Sequence, residues 1–325
     1  MTGPYAFHLH LVAWLAVAAV GVAYAVTVRR SPLRSQPGAA PTRRQWWCLA
    51  GGLVSLAVAL TWPVADLAAH WSLTALLVQR LLLILAAAPL LLLALPSSLI
   101  AALTRPVPLD GALEVITRPL VAVVVFSVIA VGTLLTPVVA AQASSAVVRG
   151  VVDVVLLLGG MVLWGPVLRH IPGASRPSPV GLAAYLFVQS VVPGFPSVIY
   201  VFARHPLYPA FAHAHAAIGL SAVGDQQLAG VVAKVATLPV LWSVAYVALT
   251  RAARQDTGSD TGVLTWAEVE RQLLRADRRE RRGPGRRRPG RVPAIPRLGL
   301  VPGPDGPGTT TGPPTSGLPG DGPGP

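Results

Sequence analysis

Sulfur and lysine are nearly missing from this chain: Cys48 is its one cysteine, Met1 and Met161 its two methionines, and Lys234 its one lysine. A single cysteine excludes an intramolecular disulfide and any Cys-x-x-Cys metal or redox motif. With one methionine beyond the initiator, Met161, the thioether ligands that copper(I) sites recruit are scarce. Charge is scarce as well, at 12% of residues against 53% hydrophobic, and the mean hydropathy is +0.60. That balance excludes an ordinary soluble domain and points to an integral membrane protein. The net charge of +13 is not a nucleic-acid signature, because half of the 26 basic residues lie from Arg251 onward and the others mostly flank apolar runs. The bias toward Ala, Val, Arg, Gly and Pro reads as a GC-rich, bacterial coding pattern.

A hydrocarbon layer of about 30 Å takes about 20 apolar residues per helix, and seven segments meet that length. They fall near 7–28, 46–65, 73–95, 118–138, 147–168, 180–202 and 226–250. The first has no basic residue ahead of it and no small-residue cleavage site, so it reads as a span rather than a signal peptide. The third apolar run continues to Ala102, and Pro89 and Pro96 are expected to kink and end it. Pro193, Pro196 and Pro239 lie inside other spans, which favours a packed bundle whose neighbours satisfy the freed carbonyls.

Arginine counts in the connections set the expected orientation. Arg29, Arg30, Arg34, Arg43 and Arg44 follow the first span, Arg105 and Arg118 the third, and Arg169 and Arg176 the fifth. The intervening loops 66–72 and 139–146 carry none, and 203–225 carries only Arg204. The alternation places the N-terminus outside and the C-terminus in the cytoplasm of a plasma membrane. Expected domains are a seven-span unit over 1–254, a cytoplasmic amphipathic segment within 255–282, and a disordered Pro/Gly/Arg-rich tail over 283–325. In "VLTWAEVERQLLRADRRERR" (263–282), Thr265 and Glu268 have capping-box spacing and Trp266, Val269 and Leu273 share a helical face. A solvated helix without a membrane role fits the same pattern.

Two groups of polar residues carry the chemistry. His8, His10, His70, His205, His213 and His215 are assigned by this topology to the outer surface. Neutral imidazoles there could receive copper or zinc, with His70, His205, His213 and His215 as candidate ligands. Pairs two residues apart point to nearly opposite faces of a helix, however, so interfacial histidines without a metal are the competing reading. Arg80, Asp153 and Lys234 all lie ~9 to 13 Å below the outer ends of spans three, five and seven, at about 1.5 Å per residue. Charges at that depth are expensive, so Asp153 is expected to pair with Arg80 or Lys234; independent snorkelling of the two long cations is the alternative. Asp225 is placed to cap the first turn of the seventh span, with Gln227 in reach of the same amides.

Four stretches then resemble the CtaG family of cytochrome c oxidase assembly factors: "LLVQRLLLILAAAPLLLLALP" (76–96), "DVVLLLGGMVLWGPV" (153–167), "HPLYP" (205–209) and "GDQQLAG" (224–230). The resemblance runs from about Trp46 to Arg254, and the last two stretches carry most of its specificity. It implies a seven-helix plasma-membrane protein that assists copper insertion and works with oxidase subunits or other copper-delivery proteins. His205, Pro206, Tyr208, Pro209, Asp225, Gln226 and Gln227 form the external motif it marks. The family's third-span His-Met-x-x-His falls, aligned on Pro89, at Leu76, Leu77, Val78, Gln79 and Arg80. Its fifth-span histidine falls, aligned on Trp164, at Asp153. A salt bridge between Arg80 and Asp153 is therefore expected where relatives would hold a metal.

The resulting expectation is an all-α integral membrane protein, a seven-transmembrane-helix bundle acting as a non-enzymatic assembly or scaffolding factor, with copper as the implied metal and no nucleic-acid partner. A carrier using the Arg80, Asp153 and Lys234 layer is the alternative. No nucleophile, base and orienting group recur together as an enzyme would need.

Overall fold

The computed structural model describes residues 8–30, 41–96, 115–168, 177–212 and 219–260. The described segments are helical, with no strand among them. In order they are α1 (Leu11–Arg30), α2 (Arg43–Leu60), α3 (Val64–His70), α4 (Leu73–Leu81), a π-helical turn (Leu82–Ala87), α5 (Ala88–Ala94), α6 (Pro119–Gly132), α7 (Thr136–Ser144), α8 (Ala146–Leu168), α9 (Pro179–Val191), α10 (Phe195–Phe202), a 3-10 turn (Pro209–Phe211) and α11 (Ala222–Asp260). Among the described residues, six helical stretches are long and apolar enough to cross a membrane, or seven if the bent pair α6 and α7 counts as one span. The amphipathic segment at 263–282, the tail over 283–325, His213 and His215 lie outside the described residues.

Burial runs opposite to that of a soluble protein. Leu120, Val124 and Val128 line the outer face of α6 at successive turns and are all exposed, as are Phe195 and Phe202 on α10. Arg80, Gln79, Gln142, Gln189, Asp225 and Gln226 are buried. Apolar side chains that face hydrocarbon lose nothing, whereas backbone and side-chain polar groups must be satisfied within the bundle.

Most breaks in the helices have a local cause. Pro89 has no N–H and its ring crowds the preceding turn, and the helix widens into the π turn just ahead of it. The expected kink is thus taken up without ending the span, and the Ile84 carbonyl accepts from the Trp164 indole at 2.9 Å. α6 stops at Thr133, whose hydroxyl bonds back to the Ile129 carbonyl at 2.8 Å, and Pro137 opens the next helix. The two halves bend by 61°, and α7 occupies most of the stretch expected as an external loop at 139–146. Pro193 and Gly194 separate α9 from α10.

The last helix packs closely on α10 because residue 230 lacks a side chain. A Cβ on Gly230 would lie 2.5 Å from the Ser197 carbonyl oxygen and 2.9 Å from Val201 Cγ2. Backbone cannot swing aside as a side chain can, so Gly230→Ala forces the helices apart. The expected cost is about 1–3 kcal/mol, the range for overpacking. Thermal unfolding in detergent micelles reads it, and an unchanged midpoint would show that the contact is looser than described.

Candidate functional site

The polar residues gather at the end of the bundle where α4 and α11 begin, and Asp225 is their anchor. Its carboxylate is fully buried, yet it does not cap its own helix. Ser221 has that role, its hydroxyl accepting from the Gly224 amide at 3.1 Å. Asp225 instead caps α4 from across the bundle: Oδ1 accepts from the Ser72 hydroxyl at 2.8 Å and the Thr74 amide at 3.2 Å, and Oδ2 from the Leu73 amide at 2.6 Å. The Thr74 hydroxyl in turn donates to the Asp225 carbonyl at 2.9 Å. A carboxylate suits this place because the first amides of a helix have no internal acceptor and carry partial positive charge.

The two glutamines that follow hold the connection between α10 and α11. Gln226 Oε1 accepts from the Leu207 amide at 2.8 Å and its Nε2 donates to the His205 carbonyl at 3.5 Å, while Gln227 Nε2 reaches the Ala203 carbonyl at 3.5 Å. His205, Pro206 and Pro209 are exposed; Tyr208 between them is buried. Its hydroxyl donates to the Leu134 carbonyl at 2.7 Å, so the 2.6 Å contact with Tyr200 has Tyr200 as donor. Burial pushes the Tyr208 phenol above its usual range, against the opposing pull of the Tyr200 hydrogen bond and of Arg80, and keeps it a donor.

Arg80 reaches the same hinge from the other side. Its Nη1 donates to Thr133 Oγ1 and its Nη2 to the Thr133 carbonyl, both at 2.9 Å, with Gln142 Oε1 at 3.3 Å. The expected ion pair with Asp153 does not form. The end of α6 supplies partial negative charge and free carbonyls of its own, so a carboxylate is not required to hold the guanidinium. Asp153 faces Gln79 Nε2 at 3.5 Å and lines a separate cavity of about 550 Å³ with Arg149 and His10. Lys234 does not reach Asp153 either. Its Nζ lies 3.4 Å from the Ser190 carbonyl, which the α9–α10 break frees from helix bonding. Arg80 and Lys234 do share a smaller cavity, so the layer read from depth is divided in two.

The histidines are dispersed. His8 and His10 approach Asp66, His8 Nδ1 at 3.3 Å and His10 Nε2 at 3.0 Å, the latter without hydrogen-bond alignment. His70 ends α3 and is exposed, as is His205. Among the described residues no group of three or more His, Cys, Asp or Glu could hold a metal. At the positions that resemble the family's third-span ligands, Leu76 and Leu77 are buried core and Arg80 is committed to the hinge. This donor set does not fit copper.

Sequence reasoning missed Thr133, Gln142, Tyr200 and Asp66. None sits in a motif, and each acts through a partner at least 8 residues away in sequence. Only the Thr133–Pro137 spacing carried a local signal, for a helix break.

A helical membrane protein whose polar side chains tie its span ends together is the class this arrangement defines. The family model described as cytochrome c oxidase caa3 assembly factor matches residues 22–255, and the chain belongs to that family. No curated protein and no solved structure matches it.

Removal of the Asp225 carboxylate leaves the Ser72, Leu73 and Thr74 donors buried. Asp225→Ala is expected to cost on the order of 3 kcal/mol, and Ser72→Ala in that background to add only the roughly 1 kcal/mol of its own cap on the Ala75 amide, because its bond to Asp225 is already gone. Chemical unfolding of the four proteins of this cycle in micelles measures both, and full additivity would contradict the cap.

Proposed function

We propose that this protein is a membrane-embedded scaffold for cytochrome c oxidase assembly that assists maturation of the oxidase copper centre without holding copper itself. The match to the assembly-factor family over residues 22–255 carries the oxidase reading. Among the described residues the donor set supports the reading without copper: leucines and a hinge-bound arginine stand in the third span, and Asp153 stands in the fifth. Its role is non-enzymatic. It sits in a bacterial plasma membrane with the N-terminus outside, and the arginine-rich connections support that orientation.

In this reading the exposed part of the 205–209 connection is the face offered to a partner, an oxidase subunit or a copper-delivery protein. The buried Tyr208 and Gln226 hold that face in one conformation. A rigid surface costs less ordering entropy on binding than a mobile loop.

A deletion strain tests the function. Loss of oxidase activity that added copper does not rescue is expected of a scaffold; rescue by copper would indicate delivery, and intact oxidase would overturn the assembly role. Purified protein titrated with copper(I) tests the ligand claim separately. Substoichiometric, weak binding is expected, and one tight equivalent per chain would refute it.

A further inference from the structure

Arg80 and Lys234 line a cavity of about 90 Å³ whose other polar walls are Gln189, Ser190, Ser197 and Thr237. The remaining wall is apolar, and no carboxylate lines it among the described residues. Two of its groups keep unused hydrogen-bonding capacity in the interior: Arg80 Nε has no acceptor, and Gln189 Oε1 has no donor. Both residues are more than nine-tenths buried. Lys234 has only the Ser190 carbonyl, at a long 3.4 Å, and is half-buried. Neither cation has a carboxylate in contact, Asp153 acting on Arg80 only from a distance, and a bound anion in this low-dielectric site would satisfy the remaining donors of both at once.

The walls limit what that anion can be. Arg80 has spent one Nη1 proton and both Nη2 protons on the hinge, and the two N–H groups left, on Nε and Nη1, lie on different edges of the guanidinium, which excludes a bidentate fork onto a dianion. A strongly hydrated inorganic ion would face mostly hydrocarbon side chains. We infer that the cavity binds one amphipathic anion drawn from the bilayer, a single carboxylate or phosphate head on a hydrocarbon chain. The head accepts from Arg80 Nε and Lys234 Nζ. The chain leaves past the α9–α10 break, where Val191 and Phe195 are exposed toward lipid. The site does not depend on the oxidase reading, since it uses no residue of the 205–209 face.

The full chain in phosphatidylcholine nanodiscs, with palmitate as the probe, tests this. One palmitate per chain is expected by native mass spectrometry, and Lys234→Gln is expected to weaken it about tenfold, the scale of one charge-assisted hydrogen bond. Methyl palmitate, with the same chain and no charge, should not compete. A second arm adds phosphatidylglycerol: its displacement of palmitate would assign the site to a lipid phosphate, and its failure to compete would assign it to a free carboxylate. Equal binding of acid and methyl ester, or binding unaffected by Lys234→Gln, overturns the inference. If Lys234→Gln does not fold, Thr237→Phe narrows the same cavity without changing charge, and palmitate retained there overturns it equally.

Discussion

The burial of Arg80 is the constraint on which the rest of this structure depends. A guanidinium within a membrane span costs a few kcal/mol unless it is held, and insertion scales put it near 2.5–3.5 kcal/mol at the centre. Three hydrogen bonds to Thr133 and Gln142, each of the charge-assisted kind worth roughly 1.5–3 kcal/mol, are enough to offset that. They are available because α6 breaks at Thr133. The 61° bend between α6 and α7 is therefore the counterpart of the buried cation: an unbroken helix would have kept the Thr133 carbonyl for itself.

The same hinge receives Tyr208 at the Leu134 carbonyl, one residue further on. Tyr208 belongs to the connection whose backbone Gln226 holds, and Gln226 adjoins Asp225, which caps the helix that carries Arg80. These contacts close a circuit through α4, the hinge, the 205–209 connection and α11. The two stretches that mark the family most specifically, at 205–209 and 224–230, are thus two halves of one structural clamp.

The spans were legible from composition and length, since hydrocarbon thickness imposes both, and the expected limits at 73–95 and 147–168 lie close to the helices that form there. Legibility failed where partners are far apart in the chain. Depth counting put Arg80, Asp153 and Lys234 at one level but could not say which side chains face each other, and Coulomb attraction alone favoured the pairing that the helix end displaced. Asp225 was recognisable as a cap. That it caps α4 rather than α11 depends on how the helices lie side by side, with 152 residues between donor and acceptor. The motifs marked residues that matter, while their partners, Ser72 and Leu134, stand in unremarkable sequence.

The central claim is that the Thr133 hydroxyl and carbonyl and the Gln142 amide oxygen, not a carboxylate, hold Arg80 in place. A double-mutant cycle of Arg80→Leu with Asp153→Asn, read by unfolding free energy in micelles, tests it most directly. The account predicts a coupling energy below about 1 kcal/mol, the remnant of a Coulomb attraction between groups that are not in contact. A coupling energy of about 1 kcal/mol or more would show that Asp153 holds the cation after all.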